Sequence, residues 1–396
     1  MRNVWKISDN HAIVEGAKRC AVYCFKTGIV ASISSEDSAL LRKYAAKGTI
    51  SDEELLKVKD FTEKLSVDRI CWKEYPFPEP SPPILRQAWL ELTLRCTHKC
   101  IHCYEGDTHC DKNGNISYEK WCSIIDELSE LNCQRLQFTG GEPCLYERLP
   151  ELIDHAVGKH FSQLELFTNL SFLSDELTDR IIRYGVKVKT SVYGSTAEVH
   201  DRITSVKGSF ERTMGNIRRL LKLGVIVMVN VVIMKETEAD MDNIPAMLKN
   251  NGVTKIHYDE IREVRDGLLG VHSVEHSRIS SKPNLHTDRS SFEMAHSFNR
   301  CFSQVIAVSN DGRVFPCVMY RDHSYGNVTK DSLSNILNSQ SYANMRDLGI
   351  DKVNICRDCE FRYACSDCRT RARKFGGIHE KYYRCKYDPY NGNWNK

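Results

Sequence analysis

Cys96-Thr-His-Lys-Cys100-Ile-His-Cys103-Tyr104 decides how this chain is read. It follows the apolar run Trp89–Leu94 and places three thiols at Cys-x3-Cys-x2-Cys spacing. That spacing is too compressed for two independent Cys-x2-Cys knuckles, and no fourth thiol lies close by. Closely spaced thiolates are how iron–sulfur clusters are held, and an iron without a protein ligand is free to bind something else. The stretch is suited to three irons of a [4Fe–4S] cube with the fourth left open. A chance thiol cluster or a zinc site is the alternative, and context decides between them.

Outward from this stretch, residues 84–263 alternate between strand-like and helix-like patterns. The strands read as Trp89–Leu94, Arg135–Thr139, Gln163–Thr168, Val186–Val192, Ile226–Val232 and Lys255–Tyr258. Amphipathic stretches lie between them at Tyr118–Leu131, Glu147–Lys159, Ser174–Tyr184, Ser209–Leu223 and Met241–Asn250. Such alternation argues for an α/β fold with a parallel sheet and right-handed crossovers. Chemistry in these sheets gathers at the carboxyl ends of the strands. Cys96–Tyr104 follows the first strand, and Thr139-Gly140-Gly141-Glu142-Pro143 follows the second.

The cysteine spacing and the Gly-Gly-Glu-Pro element resemble those of radical S-adenosylmethionine (SAM) enzymes. The resemblance implies a partial (β/α)6 radical SAM barrel over residues 84–263. It also implies that the open iron chelates SAM, which an electron cleaves to a 5′-deoxyadenosyl radical. Gly140, Gly141, Glu142 and Pro143 match the family element that binds the methionine amino group. Glycines let backbone approach a ligand, and a carboxylate accepts hydrogen bonds from an ammonium. Tyr104, after the third cysteine, belongs with the cofactor-binding residues, as do Thr168, Asn169 and Ser191 at positions the family uses for ribose and the methionine carboxylate. His200-Asp201-Arg202-Ile203-Thr204 resembles an H-D-x-x-R segment with Thr204 in place of the arginine, so Arg202 is the substitute, a guanidinium being suited to a carboxylate. Tyr193 stands where relatives often carry Asp. For Ser191 and Arg202 the competing reading is an ordinary strand-end polar residue.

A second cysteine field begins at Cys301: Cys301-x10-Gly312-x4-Cys317, then Cys356-x2-Cys359-x5-Cys365-x2-Cys368, then Cys385. The layout resembles the SPASM domain, here residues 301–396, although its last internal gap is x2 where x3 is more usual. By that resemblance a first auxiliary [4Fe–4S] cluster takes Cys301, Cys317 and Cys368, and a second takes Cys356, Cys359, Cys365 and Cys385. With the barrel cluster this makes three. Some relatives supply a further ligand at the position of Ala307, so one auxiliary iron is expected without a cysteine there. Cys356–Cys368 alone also fits a zinc site.

Residues 1–73 read as a separate module: β-prone segments His11–Val14, Cys20–Phe25 and Gly28–Ser32, then helices over Ser35–Ala46 and Ser51–Leu65, the second with a capping box at Ser51–Glu54. The pattern resembles the winged-helix-like recognition element with which many peptide-modifying enzymes grip a leader peptide along an edge strand; a structural cap is the alternative. Residues 74–83 are proline-rich and form a linker. The bridging region 264–300 reads as a loop or lid, within the polar connection Arg262–Ser297. His272, His276, His286 and His296 there are too irregular in spacing to argue a metal site. Cys20, Cys24 and Cys71 are read as packing residues, as are most of Cys110, Cys122, Cys133 and Cys144; Cys110 and Cys144 lie nearest the site loops.

Composition narrows the rest. At 396 residues with 41% apolar and 27% charged side chains, this is globular composition, with no apolar run long enough to span a membrane. The start MRNVWKISDNH lacks a signal-peptide core, so the compartment expected is cytoplasmic. Seventeen cysteines there point to metal or catalysis rather than disulfides. A net charge of +3 gives no footprint for nucleic acid.

The domain order resembles maturases of ribosomally made peptides, which implies oxidative cross-linking of a precursor peptide through a thioether or carbon–carbon bond. Val14–Cys20 through Ser32 more loosely resembles the start of maturases encoded beside ATP-grasp ligases. A flavodoxin- or ferredoxin-type protein is the electron donor expected. A competing resemblance is to anaerobic sulfatase-maturating enzymes, which form formylglycine and carry an Asp base where this chain has Val318. A zinc-ribbon binding protein is the alternative from another class, and the Gly-Gly-Glu-Pro element after a strand argues against it. A nucleic-acid-modifying radical enzyme is disfavoured by the charge.

Overall fold

The computed structural model describes residues 3–67, 69–105, 114–261, 272, 285–365, 368–372, 377–383 and 385–394. The chain divides into two compact units, one of Met1–Pro83, Ser280–Ser303 and Asn344–Lys396, the other of Ile84–Ile279 and Gln304–Ala343. None of the described helices is long and apolar enough to cross a membrane.

The second unit carries the parallel sheet. Its strands β6 (Gln87–Glu91), β7 (Arg135–Thr139), β8 (Gln163–Phe167), β9 (Lys187–Ser191), β10 (Val227–Ile233) and β11 (Lys255–Glu260) lie side by side in chain order, every pair parallel. Helices α3 (Tyr118–Glu130), α4 (Leu149–Val157), α5 (Asp175–Tyr184), α6 (Ala197–Thr204), α7 (Ser209–Lys222) and α8 (Asn243–Asn250) are the crossovers. Local chemistry sets their limits. Ser117 and Ser174 cap α3 and α5 by accepting from the Lys120 and Leu177 amides, and Gly185 ends α5 in the left-handed region. On α3 the residues Trp121, Ile124, Ile125 and Leu128 are buried at helical spacing, so its apolar stripe faces the sheet.

All six strands expected from the sequence are present, with one shift of consequence. The first ends at Glu91 rather than Leu94. Beyond it, Leu92 N–H still donates to Thr139 O, but the Thr93 and Arg95 carbonyls accept from the Gly141 and Glu142 amides. The chain leaves its strand to pair with the glycine turn. At the other edge of β6 the sheet continues through β12 (Val305–Val308), parallel to β6, then β13 (Arg313–Phe315) and β14 (Gly326–Asn327), both antiparallel. Part of the segment after Cys301 therefore belongs to the same sheet, and Ala307 is fully buried in it opposite Trp89.

In the first unit an antiparallel sheet has the order β4 (Val30–Ser34), β3 (Arg19–Cys24), β2 (His11–Glu15), β1 (Val4–Ser8), β5 (Lys73–Glu74). β1 and β5 were not anticipated. Helices α1 (Ser35–Ala45) and α2 (Asp52–Leu65) begin with capping boxes, Ser34 with Asp37 and Ser51 with Glu54. Alternation along the strands splits the apolar residues between two cores. Ile7, Ile13, Cys20 and Val22 pack with Leu41 and Val58 of the helices. Val14, Ala21 and Tyr23 pack with Phe292, Ile350, Phe361, Tyr363 and Tyr387. The N-terminal sheet thus shares a core with the C-terminal cysteine segment. Within the stretch expected to be a loop, Arg289–Ser297 is a helix capped by Asp288, and it buries Phe292.

Candidate active site

Ligand-binding geometry is decided by how the glycine turn meets the cysteine loop. A Cβ on Gly140, whose φ is +130°, would lie 2.4 Å from Thr93 O, and one on Gly141 would lie 2.5 Å from both Leu94 O and Arg95 O. Only glycine lets the two loops close, and the close approach is to backbone rather than to a ligand. The middle and the far end of the cysteine loop are also fixed. Lys99 and Ile101 amides donate to the carbonyls of Thr204 and Ile203 at the end of α6. The Cys103 amide closes a turn on Cys100 O.

The three thiols, with Tyr104, Gly140, Gly141, Thr168, Asn169 and Ser191, line one cavity of about 230 Å³. Its wall is completed by His98, His102, Glu105, Tyr193, Asn230, Asp259 and Glu260. Burial pushes the Cys96 thiol up to about 11 and that of Cys100 higher still. Buried thiolates so disfavoured need cationic charge beside them, which is what a thiophilic metal supplies. Among the described residues, no group of three or more His, Cys, Asp or Glu could hold a metal ion. An iron–sulfur cube makes a different demand, one thiolate per iron, and a loop whose thiols converge on a cavity meets it.

Glu142 and Pro143 are not in the cavity wall. Glu142 is fully buried, and its carboxylate accepts from Thr168 Oγ1 at 2.6 Å, Asn169 N at 2.7 Å and Cys144 N at 3.0 Å. It locks the third loop to the second, and burial raises its pKa against those hydrogen bonds. Asn169 in turn donates through Nδ2 to Thr97 Oγ1 at 2.8 Å, which ties the third loop to the cysteine loop. Cys144, half-buried, places its Sγ on Thr168 Oγ1 beside this lock. Arg202 is exposed on α6 and does not line the cavity. Its neighbours explain the segment differently. Asp201 binds the Gly208 and Phe210 amides, and buried His200 accepts the Tyr193 N–H on Nδ1. Cys110 and His276 lie outside the described residues.

Sequence reading missed a charged knot beside the cavity. Glu91, fully buried at the end of β6, is paired with Arg321, which also meets Glu105 at 2.9 Å. Tyr104 donates its hydroxyl to Glu91 at 3.0 Å. Nothing local in the sequence could find Arg321, which is far from Glu91 along the chain.

In the first unit, Cys356, Cys359 and Cys385 pack against the Phe361, Tyr363 and Tyr387 core, and burial raises the Cys359 thiol. Cys301, Cys365 and Cys368 belong to the same unit and Cys317 to the other. The N-terminal sheet grips this cysteine loop: Ala17 N donates to Asp358 O, Tyr23 Oη to Glu360 O, and Arg362 Nη1 to Glu15 O.

Residues 90–248 match the Radical SAM superfamily, and residues 301–360 match SPASM, an iron–sulfur cluster-binding domain. The chain is a radical SAM enzyme with a SPASM domain. It is 24% identical over 312 residues to the antilisterial bacteriocin subtilosin biosynthesis protein AlbA of Bacillus subtilis, covering 75% of this chain and 67% of that protein. An AdoMet-dependent heme synthase of Methanosarcina barkeri is also 24% identical over 340 residues, covering 76% of this chain and 96% of the relative. In fold, the chain is similar to Streptococcus suis SuiB bound to S-adenosylmethionine, with a TM-score of 0.63, 12% identity and coverage of 96% and 100% of the two chains.

Proposed function

We propose that this chain binds SAM in the cavity of the second unit and oxidatively cross-links a ribosomally made precursor peptide. The observation that carries the reading is the convergence of Cys96, Cys100 and Cys103 with Tyr104, Gly140, Gly141, Thr168, Asn169 and Ser191 on one cavity. Cys96, Cys100 and Cys103 would hold a [4Fe–4S] cluster, which when reduced supplies the electron that converts SAM to a hydrogen-abstracting 5′-deoxyadenosyl radical. The chain's own residues build the setting. Gly140 and Gly141 allow the second loop to clasp the first, Glu142 fixes the third, and the enclosing wall limits water around the reacting groups. Arranged as a partial barrel, the six parallel strands bring these loops to one end of the sheet.

The auxiliary cysteines, Cys301, Cys317, Cys356, Cys359, Cys365, Cys368 and Cys385, would hold two further clusters able to accept the electron that an oxidation releases. The chain would receive its electrons from a flavodoxin- or ferredoxin-type protein. A peptide substrate is supported by the similarity to AlbA and by a solved SuiB structure bound to the precursor peptide SuiA. In this reading the first-unit sheet receives the leader segment along its edge.

The heme synthase relative supports a second reading, in which a tetrapyrrole is the substrate. Anaerobic incubation with reductant, SAM and either the SuiA precursor peptide or an iron porphyrin separates the two. The proposal expects 5′-deoxyadenosine and a peptide that has lost a pair of hydrogen atoms, read by mass spectrometry. An unchanged peptide together with conversion of an iron porphyrin would replace it with the second reading.

A further inference from the structure

In the knot of Glu91, Arg321, Glu105 and Tyr104, Glu91 is fully buried and the other three are half-buried beside the cavity. Glu91 stands where the strand passes into the cysteine loop, and Tyr104 and Glu105 stand where that loop ends. Arg321 Nη2 reaches both ends at once, bonding to both oxygens of Glu91 and, at 2.9 Å, to Glu105 Oε1. Its guanidinium is stacked 4.7 Å from the centre of the Phe315 ring, on β13, which fixes it from behind. The Tyr104 hydroxyl is held by the same Glu91 oxygen, at 3.0 Å, while Tyr104 and Glu105 line the cavity. The loop carrying the three thiols is therefore closed into a ring by one side chain. That side chain comes from the segment after Cys317, within residues that match the SPASM domain rather than the radical SAM domain.

We propose that Arg321 is a positioning residue for SAM. By joining Glu91 to Glu105 it sets Tyr104 against the cavity beside Cys103, so the second domain's sequence completes the first domain's cofactor site. Arg321 does not line the cavity and acts through Tyr104 and Glu105. All three contacts are made by the one nitrogen Nη2, and the planar guanidinium adds what an ammonium lacks, a flat face stacked on the Phe315 ring that fixes where that nitrogen sits. This inference rests on the proposed SAM site.

The test measures iron content and SAM affinity of the anaerobically reconstituted full chain, using radiolabelled SAM in equilibrium dialysis. Removing partners of this kind costs roughly 10–100-fold at metal sites, and similar losses are expected here. Glu105→Gln leaves the buried Arg321–Glu91 pair intact, so the fold is kept. It is expected to weaken SAM binding about tenfold with iron unchanged. Arg321→Met combined with Glu91→Gln removes the charges together and avoids a lone buried carboxylate; it is expected to weaken SAM binding further, again without iron loss. Unchanged affinity in Glu105→Gln would overturn the proposal. So would wild-type affinity in the double variant, which would reduce Arg321 to neutralising Glu91. Wild-type chain that holds iron yet binds no SAM would instead overturn the site reading itself.

Discussion

Replacing Gly141 with alanine separates the cost of a clash from the cost of a backbone conformation. Gly141 is not in the left-handed region, so its alanine variant is opposed only by space. The added Cβ would lie 2.5 Å from two carbonyl oxygens, and ordinary contact begins at 3.4 Å, so the cysteine loop must retreat by 0.9 Å, the difference of the two. That retreat stretches the Gly141 N–Thr93 O and Glu142 N–Arg95 O hydrogen bonds, both 2.8 Å. Leaving buried partners unpaired costs about 1–3 kcal/mol each, so the loss for the two bonds is about 2–6 kcal/mol. Gly185 is the control: its φ is +64° with nothing within 4 Å of a Cβ, so alanine there costs about 1–2 kcal/mol of conformation alone. The larger contrast lies in function. Arg95 directly precedes Cys96, and misplacement on the order of 1 Å can cost about 100-fold in rate. Urea unfolding and the rate of 5′-deoxyadenosine formation, measured on both variants, give the comparison. Gly141→Ala should be crippled while folded, and Gly185→Ala near normal. Equal rates in the two would refute the clasp between the loops.

Further outcomes follow from buried charge and buried histidine. Glu165 and Lys189 pair at 2.7 Å on neighbouring strands, with only 4% and 18% of their side chains exposed. Lys189→Met strands the carboxylate and should cost about 3–5 kcal/mol in urea unfolding, whereas Lys189→Met with Glu165→Leu should recover most of it. His200 is held down to about 4 by burial, and its Nδ1 accepts the Tyr193 N–H, which only the neutral ring can do. The unfolded chain takes up this proton near pH 6.5 and the folded one only near 4. Stability is therefore complete above pH 6.5 and falls as pH drops towards 4, by about 3 kcal/mol from this residue. His200→Gln should flatten that part of the profile in pH-dependent urea titrations. A Glu142→Gln change keeps the volume but weakens three acceptor contacts, and should lower SAM affinity in dialysis by roughly tenfold.

Much of the second unit was legible because its signals are local. Six apolar runs separated by amphipathic helices can be read in a window, and so can a Cys-x3-Cys-x2-Cys spacing. What a local pattern does not carry is direction and distance. Arg202 shares a motif with His200 and Asp201, but on α6 it faces outward, and spacing alone does not show which face a residue takes. Gly140 and Gly141 permit a close approach, and the partner in the structure is the Thr93–Arg95 backbone, which no local pattern names. Arg321 was out of reach because its partners are set by a sheet that β12 and β13 extend beyond the cysteine at 301. The first unit shows the same limit. β1 carries Trp5 and Lys6 among its apolar residues, and its strand character appears only once β2 and β5 pair with it. One face of that sheet is covered by its own helices, but the other shares a core with Phe292, Phe361 and Tyr387, and a partner so distant in sequence leaves no signature in the strands.

The central claim is that the Cys96–Cys103 loop and its cavity cleave SAM. The chain and its Cys96→Ala/Cys100→Ala/Cys103→Ala variant, both reconstituted anaerobically, are to be reduced and given SAM, with 5′-deoxyadenosine and iron measured side by side. The account predicts nucleoside from the wild type, none from the variant, and a loss of about four irons with the auxiliary iron retained. Nucleoside formed equally by both proteins would contradict it.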